Sequence, residues 1–541
     1  MLELPAHASR GVARQAWCAG LIALVVFMAG VWGQAPVGFD SRFFLFAQEM
    51  LRHGPTFFPT TYGEPYPDYS ATSTFFVYLL SLPLGQVNSF SAWLPSAIAA
   101  AVTVALLYRL VAPYSRQWAL ISIALLALSG TFVMETRAVS QDLMLTAVAL
   151  AVFYLGYACD HFHTPRRLGA IAALLILGFA IRGPIGLVVP TGMLCAYYLV
   201  SGQWRRLFAV GFSALVLLGL AIGLLLWLAR LSGGDAFVTD VVHMQVTGRI
   251  DGSEGASGPL YYFISSLGNY ALAYPLALLV LAGAWFAGPA RQGPGLQLLK
   301  CCAVAGLIVL LGLSVPQAKK ARYVLPMLPM AAVIAGYPFH RLGGRVFAWL
   351  RGGMQVLWLV LPGLLLVGLL VAHRRFPEWL PQVTAPVVVL AVLQLLALAL
   401  LAKPGIRAIG LAYCAVLALW SSYMLVFEPT ERALYDTRQF SAQVDHAVQQ
   451  APGALVLHGM GKDAKAIKFM VNVDRDLRPQ FTDSVAQLAA LPVGTWVMMD
   501  AKDRDALHGT PLGSAVPVVQ GRFDKDDYVL LRVVAERTGT P

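Results

Sequence analysis

The stretch KCCAVAGLIVLLGLSVPQAKKARYVLPMLPMAAVIAGYPFH, residues 300–340, holds the pattern on which the fold turns. Two apolar runs, 300–315 and 323–340, flank Gln317-Ala318-Lys319-Lys320-Ala321-Arg322-Tyr323. Apolar windows of this kind, cut by Gly, Pro and basic residues, are the mark of membrane-spanning helices. Three cations crowd the break between them. Such a cluster has either a topological role or a ligand.

The same pattern recurs along the chain. Of 541 residues, 58% are hydrophobic and 12% charged. Soluble domains carry about 25% charged residues, so the chain is expected to be a polytopic membrane protein. The short basic N-terminus (Arg10, Arg14) runs into Trp17 to Val31, which reads as a first span. The net charge of +11 resides mostly in short loops. That is how topology signals are placed and does not point to nucleic acid. The cysteines (Cys18, Cys159, Cys195, Cys301, Cys302, Cys414) lie in or beside apolar runs without metal-ligand spacing, and imply no disulfide framework.

The expected spans are 17–33, 91–111, 117–134, 139–158, 168–181, 184–201, 207–231, 266–288, 300–315, 323–340, 354–372, 384–402 and 406–427, about thirteen helices. With the N-terminus inside, alternate loops carry Arg109 and Arg116, Arg166 and Arg167, Arg205 and Arg206, Arg291 and Lys300, Arg341, Arg345 and Arg351, and Lys403 and Arg407. Every expected cytoplasmic loop is therefore basic, as the positive-inside rule requires. An odd count puts the C-terminus outside. From Glu428 to Pro541 the composition becomes that of a soluble α/β domain, with helix-like segments at 433–450, 463–471 and 484–490 and strand-like ones at 454–458, 495–499 and 528–534. Gly459-Met460-Gly461 reads as a tight strand-to-helix turn rather than a phosphate loop. The chain thus divides into a membrane domain, 1–427, with outer juxtamembrane helices in 34–89 and 232–265, and a small periplasmic α/β domain, 428–541.

In the first long loop, Ser41 to Arg52 is amphipathic and suited to the interface plane, and Thr72 to Leu84 is too short to span. The outer ends of the spans collect the polar residues: Asp40, Arg42, Asp68, Glu135, Arg137, Asp142, Arg182, His243, Gln245, Arg249, Asp251, Glu254, Lys319, Lys320, Arg322 and Tyr323. Carboxylates converging with cations on one membrane face suit a charge task. Arg and Lys neutralise phosphate, and a phosphate at a membrane surface belongs to a lipid head group. Asp142, one turn into an apolar helix, is costly unless it has a function. His373, Arg374 and Arg375 read as head-group anchors.

Several segments in this order resemble the GT-C membrane glycosyltransferases, the lipid A aminoarabinose transferases and their relatives related to protein O-mannosyltransferases. Asp40-Ser41-Arg42-Phe43 with Gln48-Glu49-Met50-Leu51 is similar to the family's acidic-x-Arg-aromatic segment. Tyr66-Pro67-Asp68-Tyr69, Gln141-Asp142-Leu143, Arg182-Gly183-Pro184, Gly258-Pro259-Leu260-Tyr261-Tyr262 and Lys319 to Pro326 resemble its later motifs.

The resemblance implies a GT-C fold in an integral inner-membrane enzyme. It would move a sugar from a polyprenyl (undecaprenyl) phosphate to a periplasmic acceptor, with inversion. Lipid A is the favoured acceptor; a protein or another glycan is the alternative. Asp40 and Asp142 are the expected catalytic carboxylates. Arg42, Arg182, Lys319, Lys320, Arg322 and Tyr323 are expected to bind the donor phosphate. Asp68, His243 and Arg249 are candidates for holding the acceptor or a divalent metal; the metal is left open and no other cofactor is implied. A lipid-linked sugar transporter is the main rival, and it predicts mid-membrane charges and an internal repeat. The spans show neither. A non-catalytic envelope scaffold is a second rival.

Overall fold

A computed structural model of the chain describes residues 6–534, except 69, 253–254, 265–272, 287–293 and 508–509. Among the described residues, seven helices are long and apolar enough to cross a membrane. An eighth crossing follows if α5 (Arg116–Ala127) and α6 (Gly130–Thr136), which meet at 74°, form one span. The bend falls at Ser129, whose backbone is extended (φ −84°, ψ 122°). Shorter apolar helices occupy Gly11–Phe27, Thr72–Leu84, Pro275–Trp285 and Thr384–Leu400. This is a multi-pass membrane protein. All six cysteines are free thiols.

The helices that shape the site are α7 (Gln141–His161), α8 (Leu168–Val200) and α9 (Trp204–Val242). The helical stretch of α8 is in fact two arms. At Arg182 (φ −136°, ψ 18°) and Gly183 (φ 60°, ψ −146°) the backbone leaves helical geometry, and Pro184 follows. The left-handed φ is one that glycine adopts without penalty. A Cβ built on Gly178 would lie 2.1 Å from the carbonyl oxygen of Gly186, and one on Gly186 only 1.8 Å from that of Gly178. Residues eight apart in one straight helix would be about 12 Å apart along the axis. The chain therefore reverses at Arg182-Gly183, and the arms cross backbone to backbone at two glycines. The expected spans 168–181 and 184–201 are these two arms.

Both arms pack on α7. Val148 of α7 meets Gly178 in the first arm, and Gly156 of α7 fits under Leu194 in the second. Near the far end of α7, Tyr197 donates to Asp160 (2.8 Å). The first arm thus runs antiparallel to α7 and the second parallel to it. One end of the trio carries Asp142 and Arg182; the other carries Asp160 and the loops 162–167 and 201–203. Helix α9 breaks in turn at Gly233 and Gly234 (φ 73°, ψ −166°).

The described residues fall into two compact units. The first comprises residues up to Gly30, Pro67–Phe76 and Trp93–Val426; the second comprises Val31–Tyr66, Val77–Ala92 and the chain from Phe427 onward. The second unit is built on a five-stranded sheet in the order β4-β3-β5-β7-β6. Its strands are β3 (Leu455–His458), β4 (Gln480–Thr482), β5 (Trp496–Asp500), β6 (Val519–Phe523) and β7 (Asp526–Arg532). β3 pairs parallel with β4 and β5, and β7 pairs antiparallel with β5 and β6. Side chains alternate between two cores. Leu455, Leu457, Trp496, Met498, Tyr528 and Leu530 enter one; Val456, Val497, Met499, Val529 and Leu531 enter the other. A sheet buried on both faces reads as the continuous apolar runs seen in the sequence.

Two expectations need refinement here. The helix-like segment 433–450 is two helices, Glu428–Leu434 and Arg438–Gln450. The amphipathic segment forms α2 (Asp40–His53), but its polar side is engaged with the sheet domain rather than with solvent. Gln48 donates to the Val471 carbonyl (3.1 Å) and Arg52 to that of Val473 (2.7 Å), while Leu45 joins the core of Leu457 and Met470. A two-residue hairpin turn at Tyr62 and Gly63 (φ 55° and 78°) joins β1 (Thr60–Thr61) to β2 (Glu64–Pro65), as a type I′ geometry requires. Gly459 and Gly461, each at φ 65°, make the tight turn expected after β3, and the Gly459 N–H donates to the Thr482 carbonyl (3.1 Å).

Candidate anion-binding site

Asp142 sits in the first turn of α7, behind the N-cap Ser140, whose hydroxyl accepts from the Leu143 N–H (3.1 Å). A carboxylate there is favoured by the helix dipole. It is nonetheless deeply buried, 4% exposed, and therefore needs positive partners. The reversal of α8 supplies the first. Arg182 Nε lies 3.1 Å from Oδ1 and its Nη2 donates to Oδ2 (3.2 Å), a two-pronged fork. The remaining nitrogen, Nη1, donates to Gln141 Oε1 (2.7 Å), and Gln141 Nε2 donates in turn to Ser73 Oγ (3.0 Å).

The second partner comes from the basic break between the apolar runs at 300–315 and 323–340. There Ala321–Met327 forms a 3-10 helix, and Arg322 Nε lies 3.2 Å from Oδ2 of Asp142. The Tyr323 ring lies 5.2 Å beneath the Arg182 guanidinium and 6.0 Å from that of Arg322, within cation–π range. The Lys319 Nζ donates to the Ser257 carbonyl (3.4 Å), and the Ser257 N–H donates to the Gln317 carbonyl (3.0 Å), so residues 257 and 317–319 clasp each other. Lys320 is exposed.

Two guanidiniums share one carboxylate, with buried Lys319 in the next loop segment. The Asp142 side chain is 6% exposed and Arg182 7%, but Arg322 is 18% exposed. Guanidiniums gathered at one end of a helix bundle are of the kind that suits an anion. Arg322 is the more exposed of the two guanidiniums.

Other residues of the same unit have separate attachments. Arg137 donates to the carbonyls of Phe27 (3.0 Å) and Ala29 (2.8 Å), tying down the end of the first helix, and Glu135 bonds the Ser140 hydroxyl. Asp68 accepts from Gln245 Nε2 (3.4 Å), which also reaches the Pro67 carbonyl (3.2 Å). His243 is exposed, at the start of a π-helical turn, His243–Thr247. The side chain of Arg249, with Glu254 and Tyr69, lies outside the described residues. Among the described residues, no three His, Cys, Asp or Glu side chains converge as a metal group would require.

In the second unit, Asp40 opens α2 and is 9% exposed. The Arg42 guanidinium stacks 5.2 Å from both the Phe39 and Tyr66 rings, and its Nη2 reaches the Asp463 carbonyl at 3.5 Å. Gln141, Ser73 and Ser257 are the contributors to the site that sequence reasoning passed over. The only signal for Gln141 was its place beside Asp142.

Residues 71–231, which contain α7, Asp142 and the whole α8 reversal, match the family model described as dolichyl-phosphate-mannose-protein mannosyltransferase. The crystal structure of ArnT from Cupriavidus metallidurans bound to undecaprenyl phosphate superposes with a TM-score of 0.68 at 17% identity, covering 98% of this chain and 99% of that one. The chain has the GT-C glycosyltransferase fold. The apo form of the same ArnT gives a TM-score of 0.64 at 18% identity, over 98% of this chain and 100% of that one. No curated protein matches by sequence. Within the GT-C fold, the Asp142–Arg182–Arg322 cluster occupies the ends of the helices where the sequence motifs fall.

Proposed function

We propose that the protein is a membrane glycosyltransferase that takes a sugar from an undecaprenyl-type phosphate and delivers it to an acceptor at the periplasmic face of the inner membrane, with inversion. Lipid A is the favoured acceptor. The observation that carries this reading is the pair of guanidiniums sharing one buried carboxylate, one of them partly exposed. The ligand named for the similar ArnT structure, undecaprenyl phosphate, is an anion of the required kind.

In this reading the acceptor oxygen bonds to the anomeric carbon as the bond from that carbon to the phosphate oxygen breaks. The acceptor proton passes to the carboxylate of Asp40, the residue that the acidic motif singles out. The lipid phosphate leaves with one more negative charge than it had in the donor. Arg322 and Arg182, with Lys319, Lys320 and Tyr323, stabilise that growing charge, and Arg42 is a further cation for it. Preorganised donors aimed at developing charge are worth the most in a dry site. Asp142 then serves as the fixed anchor that orients both guanidiniums. Asp68, His243 and Arg249 remain candidates for the acceptor.

Mass spectrometry of lipid A from cells with and without the protein tests the acceptor, and transfer from a synthetic undecaprenyl phosphate sugar tests the donor. A mass increment that disappears in the deletion and returns with the wild-type chain, but not with Asp40→Asn, is the expected result. An unchanged lipid A profile removes that acceptor. Failure to consume any polyprenyl-phosphate sugar removes the reaction.

A further inference from the structure

At the end of α7 opposite Asp142, about 27 Å away by helical rise, lies a second cationic region that the transfer reading does not use. A cavity of about 190 Å³ opens between the last turns of α7, the start of the first arm of α8 and the start of α9. Leu155, Ile171 and Val210 make its apolar wall, and Arg166, Arg167 and Arg206 stand around it.

The three arginines are not equivalent. Arg206 is consumed: its Nη1 donates to both oxygens of Asp160 (2.9 and 2.8 Å) and to Gln203 Oε1 (2.7 Å). Asp160 is consumed too, accepting further from Tyr197 and Gln203 (2.8 Å each). Residues 160–167 and 201–206 contain no other carboxylate. Among the described residues no carboxylate pairs with Arg166, Arg167 or Arg205, and all three are exposed. The neighbouring surface is apolar and open, with Leu168 66% and Phe208 68% exposed, as faces turned to acyl chains are. Two exposed guanidiniums without a carboxylate partner among the described residues therefore border an apolar slot beside a lipid-facing surface.

We infer that this groove seats an anionic glycerophospholipid, its phosphate on Arg166 and Arg167 and part of an acyl chain against Leu155, Ile171 and Val210. The fork of arginine matches phosphate oxygens, and basic pockets between transmembrane helices hold anionic head groups. A soluble phosphate would satisfy the arginines but leave the apolar wall uncovered. A zwitterionic lipid would cover the wall but bring a cation to the arginines.

The test is native mass spectrometry of the delipidated full-length protein in detergent, incubated with phosphatidylglycerol, phosphatidylcholine or glycerol 3-phosphate. Retention of phosphatidylglycerol well above phosphatidylcholine is expected, and R166Q/R167Q is expected to weaken it about tenfold or more. Ala209→Trp, which fills the slot while keeping both arginines, is expected to lose the lipid as well. Should the arginine variant fail to fold, Ala209→Trp alone decides the matter. Unchanged phosphatidylglycerol retention in either folded variant overturns the inference. Equal retention of phosphatidylcholine, or displacement of the lipid by glycerol 3-phosphate, overturns it also.

Discussion

Arg322 holds Asp142 by its Nε, 3.2 Å from Oδ2, although the two residues lie far apart in the chain. The contact joins the 3-10 turn after one apolar run to the first turn of α7. It makes one carboxylate the common anchor of two guanidiniums that have no sequence neighbours in common.

Asp142→Asn keeps the shape of the anchor and removes its charge. Two guanidiniums then lose the carboxylate that they share. Removing one partner of a buried pair costs about 3–5 kcal/mol, so the variant should unfold at a markedly lower temperature in detergent and transfer no sugar. Asp142→Asn combined with Arg182→Met should recover part of the lost stability without recovering activity. Thermal unfolding of the single and double variants measures the coupling.

Arg322→Gln should behave differently, because Arg322 is the more exposed of the two partners. Its loss is expected to lower kcat by about 10²–10³, the effect of removing one preorganised donor, with a smaller change in melting temperature than Asp142→Asn. Arg322→Lys keeps the charge but not the fork, and should recover only part of the rate. Single-turnover transfer with a saturating polyprenyl-phosphate donor separates the two effects.

Gly178 and Gly186 leave no room for a side chain, since each added Cβ would overlap the other's backbone carbonyl. Backbone atoms cannot rotate away as a flexible side chain can. Gly186→Ala should therefore force the arms apart at a cost at or above the usual 1–3 kcal/mol of overpacking. The folded fraction on fluorescence-detected size exclusion should collapse, whereas Gly211→Ala, which enters open space on α9, should leave it nearly unchanged.

Glu49 gives a pH signature for the second unit. Burial raises its carboxyl above the ordinary 4.5, with His53 and Arg52 lowering it less. Arg52 is a weak partner, 4.0 Å away and committed to the Val473 carbonyl. A raised folded-state pKa means that the native state binds the proton more tightly than the unfolded chain. Stability contributed by this group therefore rises as pH falls through the folded value and is lost as pH rises above it. Glu49→Gln should be more stable than wild type at neutral pH, and the gap should close as pH falls toward the ordinary carboxylate value. Melting curves across that range read both effects.

Much of the membrane fold could be read from residue order. Arg182-Gly183-Pro184 between two apolar runs separated the expected spans 168–181 and 184–201, because a proline there interrupts a helix. Asp142 was legible as a carboxylate where apolar neighbours make carboxylates costly. The hydrogen bonds from Gln141 to Ser73 and from Lys319 to Ser257 were not, since they join segments that are remote in sequence and leave no local pattern. For the same reason α2 read as an interfacial helix: its apolar periodicity is visible, but the carbonyls of Val471 and Val473 that receive its polar side are not. The strands β4 and β6 were missed for a different reason. They are short edge strands with an interleaved polar pattern (QFT and VQGRF) that carries little strand signal alone.

The crossing of Gly178 over Gly186 also fixes a dimension. Two arms locked at the backbone, with α7 packed along both, form a caliper whose jaws cannot slide. The depth at which Asp142 holds its guanidiniums is then set by the protein and not by the thickness of the surrounding bilayer. A thinner or thicker membrane must be met by tilt of the whole assembly or by the lipid itself, which leaves the spacing between the two ends of α7 the same in every membrane the protein inhabits.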